Sequence, residues 1–194
     1  MTAAATPATL ADLKGTFVLD ASHSQLGCVA RHAMVTKVRG SFTDVTGTAS
    51  VDGANPSASS LSVTIKSDSI NTRSEGRDAH LRSADFFDVE KYPEITFTGT
   101  DFSIDGDTVD VTGDLTIKGT THSVTVPLEY QGAVIDPWGN ERIGFEGSVV
   151  VKRKDWNLNW NAALEAGGVL VEVAHRGRAN AGIDAGEDVE DLAL

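Results

Sequence analysis

The chain has 194 residues, enough for one domain with a sizeable core and too few for two. Its 28 acidic side chains against 16 basic ones leave a formal net charge of −12, which repels nucleic acid and anionic membrane surfaces, so neither is an expected partner. Cys28 is the sole cysteine, which excludes an intrachain disulfide and a cysteine-based zinc site.

The opening "MTAAATPATLADLKG" is small and polar, with no basic start and no apolar run. It reads as a flexible segment over residues 1–15 rather than a secretory signal, and the expected compartment is the cytoplasm. From Thr16 onward apolar and polar residues alternate in short segments separated by Gly, Asp, Asn and Pro, the pattern of an all-β chain. In order the strand segments are "TFVLD", "QLGCVARH", "SFTDVTGTASVD", "SLSVTIK", "EITFTGTDFSID", "TVDVTGDLTIKG", "HSVTVPLEYQG", "RIGFEGSVVVK" and "GVLVEV". Their spacing points to a sandwich or an antiparallel barrel. One interruption is helical. Ser74 can cap it, Glu75 lies in its first turn, Asp78 can pair with Arg82 one turn on, and Pro93 forbids its continuation. Beyond Val173 the alternation stops and the composition turns small and acidic, so a disordered tail is expected over 176–194 and the folded domain over 16–175.

The phase of the alternation assigns inward faces. Val45, Gly47, Ala49 and Val51 share one; so do Ile95, Phe97 and Gly99; Val109, Val111, Gly113, Leu115 and Ile117; and Ile143, Phe145, Gly147, Val149 and Val151. A glycine sits in every one of these rows. Such glycines either relieve the curvature of a closed sheet or leave an apolar lumen of the kind a small barrel offers a ligand.

In "QLGCVARH", Leu26, Cys28, Ala30 and His32 share a face, which aims His32 inward at a strand end. There it either holds a ligand's polar head or bonds a neighbouring carbonyl. His23, His32, His80, His122 and His175 show no recognised metal spacing, so no metal is expected. The sequence has neither a G-x-S-x-G elbow nor a phosphate loop. Phe86 and Phe87, at the helix-to-strand junction, must bury somewhere, either as a plug of the core or along a lumen's mouth.

The run "RDAHLRSADFFDVEKYPEITF", with "HSQLGCVARH" and "RGSF" before it and "GDLTIKGTTHSVTV", "RKDW" and "WNAALEAGGVLV" after it, resembles the YceI-like, polyisoprenoid-binding family from Phe17 to Val171. The resemblance implies an extended eight-stranded antiparallel lipocalin-like barrel, with the helical insert near its mouth and a long apolar ligand threaded through it. It also implies a ligand-binding set: Leu26, Cys28, Ala30 and His32 on the first long strand, Phe42, Phe97, Gly113 and Phe145 on the walls, and Arg77, His80, Phe86 and Phe87 at the mouth. Arg77, Asp78 and His80 would be the mouth's polar framework. Two departures stand out. Cys28 replaces an aromatic usual in the family, and the tail after "GGVLV" lacks the alternating strand that completes the barrel in relatives.

The expectation is a carrier or sequestering protein for a long-chain isoprenoid or similar amphiphilic lipid, with no cofactor and no catalytic residues, and a homodimer as the family would suggest. An enzyme using His32 as general base on a lipid-like substrate is the alternative. An interaction module whose barrel is filled by its own side chains is a third reading.

Overall fold

The computed structural model describes residues 9–32, 36–137, 139–160, 171–174 and 177–182, with the backbone alone for 31–32, 36–37 and everything beyond 170. The strands run in chain order as β1 Lys14–Leu19, β2 Leu26–His32, β3 Thr36–Phe42, β4 Val45–Asp52, β5 Ser60–Lys66 and β6 Ile70–Asn71. Helix α1, Glu75–Arg82, follows, and then β7 Glu94–Asp105, β8 Thr108–Ile117, β9 Thr120–Ile135, β10 Glu141–Gly147, β11 Val171–Ala174 and β12 Gly177–Gly182. Eight of them close an antiparallel barrel in the order β1-β12-β10-β9-β8-β7-β5-β4, as the alternation and the resemblance lead one to expect. A separate four-stranded sheet, β11-β2-β3-β6, carries the segment "QLGCVARH".

Local chemistry accounts for much of this path. Lys118 and Gly119 both hold positive φ between β8 and β9, the two-residue turn whose twist suits a hairpin. A side chain at Gly119 would also strike the Tyr92 ring, 2.5 Å from an added Cβ. In β7 the register against β8 shifts between Gly99 and Asp101, and this bulge changes the inward set from Ile95 and Phe97 to Phe102 and Ile104.

The structure corrects several sequence expectations. "SFTDVTGTASVD" is two strands, because the chain turns at Thr43–Asp44 to pass from one sheet to the other, and "TKVRG" before it belongs to β3. β10 ends at Gly147 rather than running through Lys152. The segment 1–15 is not flexible throughout. Residues 1–8 lie outside the described residues, but Leu10–Asp12 form a 3-10 turn and Leu10 and Leu13 are 3% and 1% exposed, because two leucines in an otherwise small-residue segment fill the barrel's end. The tail does not begin at 176. β12 pairs with β10 through six residues and with β1 through Val18↔Gly182 and Leu19↔Ala181, and it supplies the closing strand. Residues 183–194 lie outside the described residues.

Two apolar clusters hold the barrel. Leu10, Leu13, Phe17 and Ile143 form one, and Phe42, Val45, Ile70 and Ile95 the other. No helix among the described residues is long and apolar enough to cross a membrane.

Candidate ligand cavity

A cavity of about 690 Å³ borders both clusters, touching Leu10, Phe17 and Ile143 of the first and Phe42 and Ile95 of the second. Its volume is that of a small-molecule pocket, for which about 300–1,000 Å³ is usual. The inward rows read from the sequence supply part of the wall, and neighbouring strands add to it. Val51, Val63, Leu115, Ile117 and Val126 are part of it, together with the rings of Phe97, Phe102 and Phe145.

Helix α1 lies over one end. Eight residues are too few to be helical alone, and side-chain anchors hold it in place. Asp78, 7% exposed, accepts from the backbone N–H and the hydroxyl of Thr72. Arg77 Nε donates to Thr72 Oγ1 at 2.7 Å and Nη2 to the Thr72 carbonyl at 2.9 Å. Arg82 reaches the carbonyls of Asp68 and Ile70 at 2.6 and 2.8 Å. Asp78 and Arg82 therefore bind the segment before the helix rather than each other, and Ser74, though at the N-cap position, makes no side-chain cap bond. With Asp78 and Arg82 so engaged, Arg77, His80 and Leu81 face the cavity.

Of the residues singled out in sequence, Leu26, Cys28, Ala30, Phe42, Arg77, His80, Phe86, Phe87, Phe97 and Phe145 all border this one cavity. Phe86 and Phe87 combine the two roles left open for them. Phe86 packs at 5.2 Å on the His80 ring, Phe87 at 6.0 Å on Phe42, and both face the cavity. Burial pushes the Cys28 thiol above its ordinary range, so it is an un-ionised, apolar wall group. His32 closes β2 opposite Thr36 and Val171, and its side chain lies outside the described residues.

Gly113 is the exception. It points inward but does not border the cavity, because it stands opposite Gly99 in the register and lies under Phe97. An added Cβ would be 2.3 Å from the Thr98 carbonyl oxygen and 2.8 Å from the Phe97 ring. Here the curvature reading of the glycines holds, since two backbones approach closely. Gly47 and Gly147 of the other inward rows do border the lumen, among larger apolar side chains.

Val149 and Val151, inward by their phase in the sequence, border the cavity, and the segment after them adds wall residues that the strand pattern does not predict. Trp156 and Leu158 are buried, Trp160 lies 4.4 Å from the His80 ring and 5.4 Å from Phe86, and all three border the cavity. Arg153, 6% exposed, donates through Nη1 to the carbonyls of Leu158 and Trp160 at 2.6 and 2.8 Å. Burial pulls its pKa down, yet a guanidinium stays protonated at neutral pH. The alternation of Trp156, Leu158 and Trp160 in "WNLNW" was the available signal, without strand pairing to support it.

A nucleophilic triad fails on geometry. Asp20, Ser22 and His23 have the residue types of a nucleophilic triad. However, the Ser22 hydroxyl and the Asp20 carboxylate meet the same ring nitrogen, Nδ1, at 2.9 and 2.7 Å, so the ring cannot relay a proton between them. Among the described residues no group of three His, Cys, Asp or Glu could hold a metal ion.

Residues 17–178 match the family model described as the YceI-like domain. Protein YceI of Escherichia coli O157:H7 is 42% identical over 139 residues, 72% of this chain and 73% of its own length. A UPF0312 protein of Pectobacterium atrosepticum is 40% identical over 158 residues, 81% of each chain. Among solved structures, BcnA of Burkholderia cenocepacia superposes with a TM-score of 0.73 at 24% identity, covering 84% of this chain and 98% of its own. The YCEI protein of Campylobacter jejuni gives 0.61 at 30% identity, covering 77% and 88%. A domain from Saccharophagus degradans, described as polyisoprenoid binding, gives 0.66 at 19% identity, covering 88% and 98%.

Proposed function

The chain belongs to the YceI-like family, and on that premise we propose that it binds a long-chain apolar lipid, a polyisoprenoid by best fit, as a carrier or sequestering protein. The observation that carries this reading is the cavity, enclosed by aliphatic and aromatic side chains between the two core clusters, with charged groups at one end only. Burial of the tail drives binding at about 25 cal/mol per Å² of apolar surface, before the ordering of ligand and side chains is subtracted. The polyisoprenoid-binding description of the Saccharophagus degradans domain, which shares the fold, supports the choice of ligand. Arg77 and His80 receive the polar head in this reading, and Phe86 and Phe87 receive the first part of the tail.

The lining supports binding rather than catalysis: Cys28 is held un-ionised against an apolar wall, and no nucleophile is hydrogen-bonded to the His80 ring among the described contacts. Native mass spectrometry of freshly purified protein, followed by solvent extraction, tests the proposal. An intact long-chain lipid is expected in the complex. A chemically altered lipid would favour an enzyme, and protein that neither carries nor takes up a polyisoprenoid would refute the reading. The same spectra report the oligomeric state, for which we propose a homodimer, and fractionation of cells reports the proposed cytoplasmic location.

A further inference from the structure

The cavity has a second end, closed by the chain's own N-terminal segment. Leu10, Leu13, Phe17 and Ile143 form the apolar cluster there, and it shares no residue with the cluster beside α1, against which Leu81 and Phe87 pack. Leu10 alone among the described residues before β1 borders the cavity, and it does so from a turn that belongs to no strand. The turn is closed by Asp12 Oδ2, which accepts from the Thr9 N–H and hydroxyl at 3.1 and 2.8 Å. It is seated just past β4, where the Gly53 N–H donates to the Leu13 carbonyl at 2.8 Å. Gly53 is not at positive φ, so its backbone does not call for glycine, but the space does. A Cβ there would lie 2.0 Å from the Leu10 carbonyl oxygen and 3.0 Å from Ala11 Cα. The seat is therefore shaped to hold this turn.

Resting on the lipid-binding reading above, we propose that Leu10 is the stop on which the far end of the bound tail comes to rest, so that the docked turn sets the longest chain the barrel accepts. Leu10 meets the lumen in company with Phe17 and Ile143, so the terminal carbons face an apolar surface. Each methylene that still finds room in the lumen removes more apolar surface from water and tightens binding about fourfold. A chain that has reached Leu10 can leave its next carbon in water or push the turn aside. The first course adds no burial. The second brings Leu10 and Leu13, 3% and 1% exposed, into water and breaks the hydrogen bond from Gly53 to Leu13, which outweighs what one methylene returns. Affinity should therefore climb with tail length and then stop climbing at a length fixed by the position of Leu10.

The test uses one head with a ladder of tails. The delipidated full chain is incubated with an equimolar mixture of straight-chain primary alcohols rising by single carbons, delivered from cyclodextrin, and native mass spectrometry reads which lengths are retained. In the wild type, retention should rise about fourfold per methylene up to a limiting length and no further. Leu10→Ala draws the stop back by about three carbons, so the limit should move longer by about as many. Leu10→Phe extends it by about three carbons into the lumen, so the limit should move shorter. Leu115→Ala removes the same atoms from the wall at the other cluster and should leave the limit in place. Each profile is taken within one variant, so a stability loss shared by all lengths cancels, and should Leu10→Ala fail to fold, Leu10→Phe decides alone. Retention that climbs without limit, a limit that no folded Leu10 variant moves, or one that Leu115→Ala moves equally would overturn this inference and leave the lipid-binding reading standing. Retention of no chain of any length would overturn both.

Discussion

Gly113→Ala isolates the difference between an empty wall and a close approach. If Gly113 faced open lumen, a methyl group would enter free space and the better strand propensity of a side chain would help slightly. The structure instead places the new Cβ 2.3 Å from the Thr98 carbonyl oxygen, 2.8 Å from the Phe97 ring and 2.9 Å from Gly99 Cα. Two of these three neighbours are backbone of the adjoining strand. Reaching an ordinary contact of 3.4 Å requires β7 and β8 to separate by about an ångström at the Gly99↔Gly113 pair, next to the bulge. Overpacking costs about 1–3 kcal/mol, and a ladder hydrogen bond lengthened by the shift adds about 0.5–1.5 kcal/mol. A loss of about 2–4 kcal/mol is therefore expected, seen as a fall of roughly 5–15 °C in Tm for a chain of this size. Urea denaturation followed by tryptophan fluorescence measures it, with Gly76→Ala on α1 as the control. Nothing lies within 4 Å of a Cβ at Gly76, and removing a helical glycine should gain about 0.5–1 kcal/mol. Gly113→Ala within about 0.5 kcal/mol of wild type, the range of an ordinary surface change, would refute the close-approach argument.

A chain ending at Arg176 loses β12, which leaves β1 and β10 as unpaired edges, so it should aggregate or lose its cooperative transition, whereas a chain ending after Gly182 should melt like the full protein. Leu13→Ala should cost about 2–5 kcal/mol by chemical denaturation, because Leu13 is fully enclosed at the barrel's end, and a near-neutral result would restore the view of the first fifteen residues as dispensable. The hydrogen bond from the Ser22 hydroxyl, helped by the His23 ring, holds the Asp20 carboxyl well below the usual carboxylate range. Asp20 therefore contributes stability that is whole above about pH 4 and is lost as pH falls toward its depressed folded value. Asp20→Asn should lower Tm at neutral pH, where Asp20 also pairs with Arg142, and its deficit should narrow in melts taken from about pH 4 downward. A constant deficit would refute that assignment. Chelation by EDTA should leave Tm unchanged, and a drop reversed by one added metal would show that the histidines were misread.

The elements legible in the sequence are those whose cause is local. Alternation of period two marks β4, β5, β7, β8, β9 and β10 because every second side chain of a strand must enter the same apolar interior. Proline and the helix-forming run at 75–82 mark α1 in the same way, and phase alone aimed Leu26, Cys28, Ala30, Phe97 and Phe145 at one cavity. Tertiary structure decided the rest. β12, "GRANAG", has almost no propensity or pattern of its own and is a strand because β1 and β10 present unpaired edges that only a third backbone can satisfy. Gly113 shares the phase of Val111 and Leu115, but whether its missing side chain makes space or admits a neighbour depends on Phe97 and Gly99, which lie across the sheet. That Arg77 and Arg153, 76 positions apart in the chain, border one cavity has no local signature at all. It arises because α1 is anchored to the segment before it and the stretch from Arg153 to Trp160 folds back over the same end, bringing two cations to one apolar space.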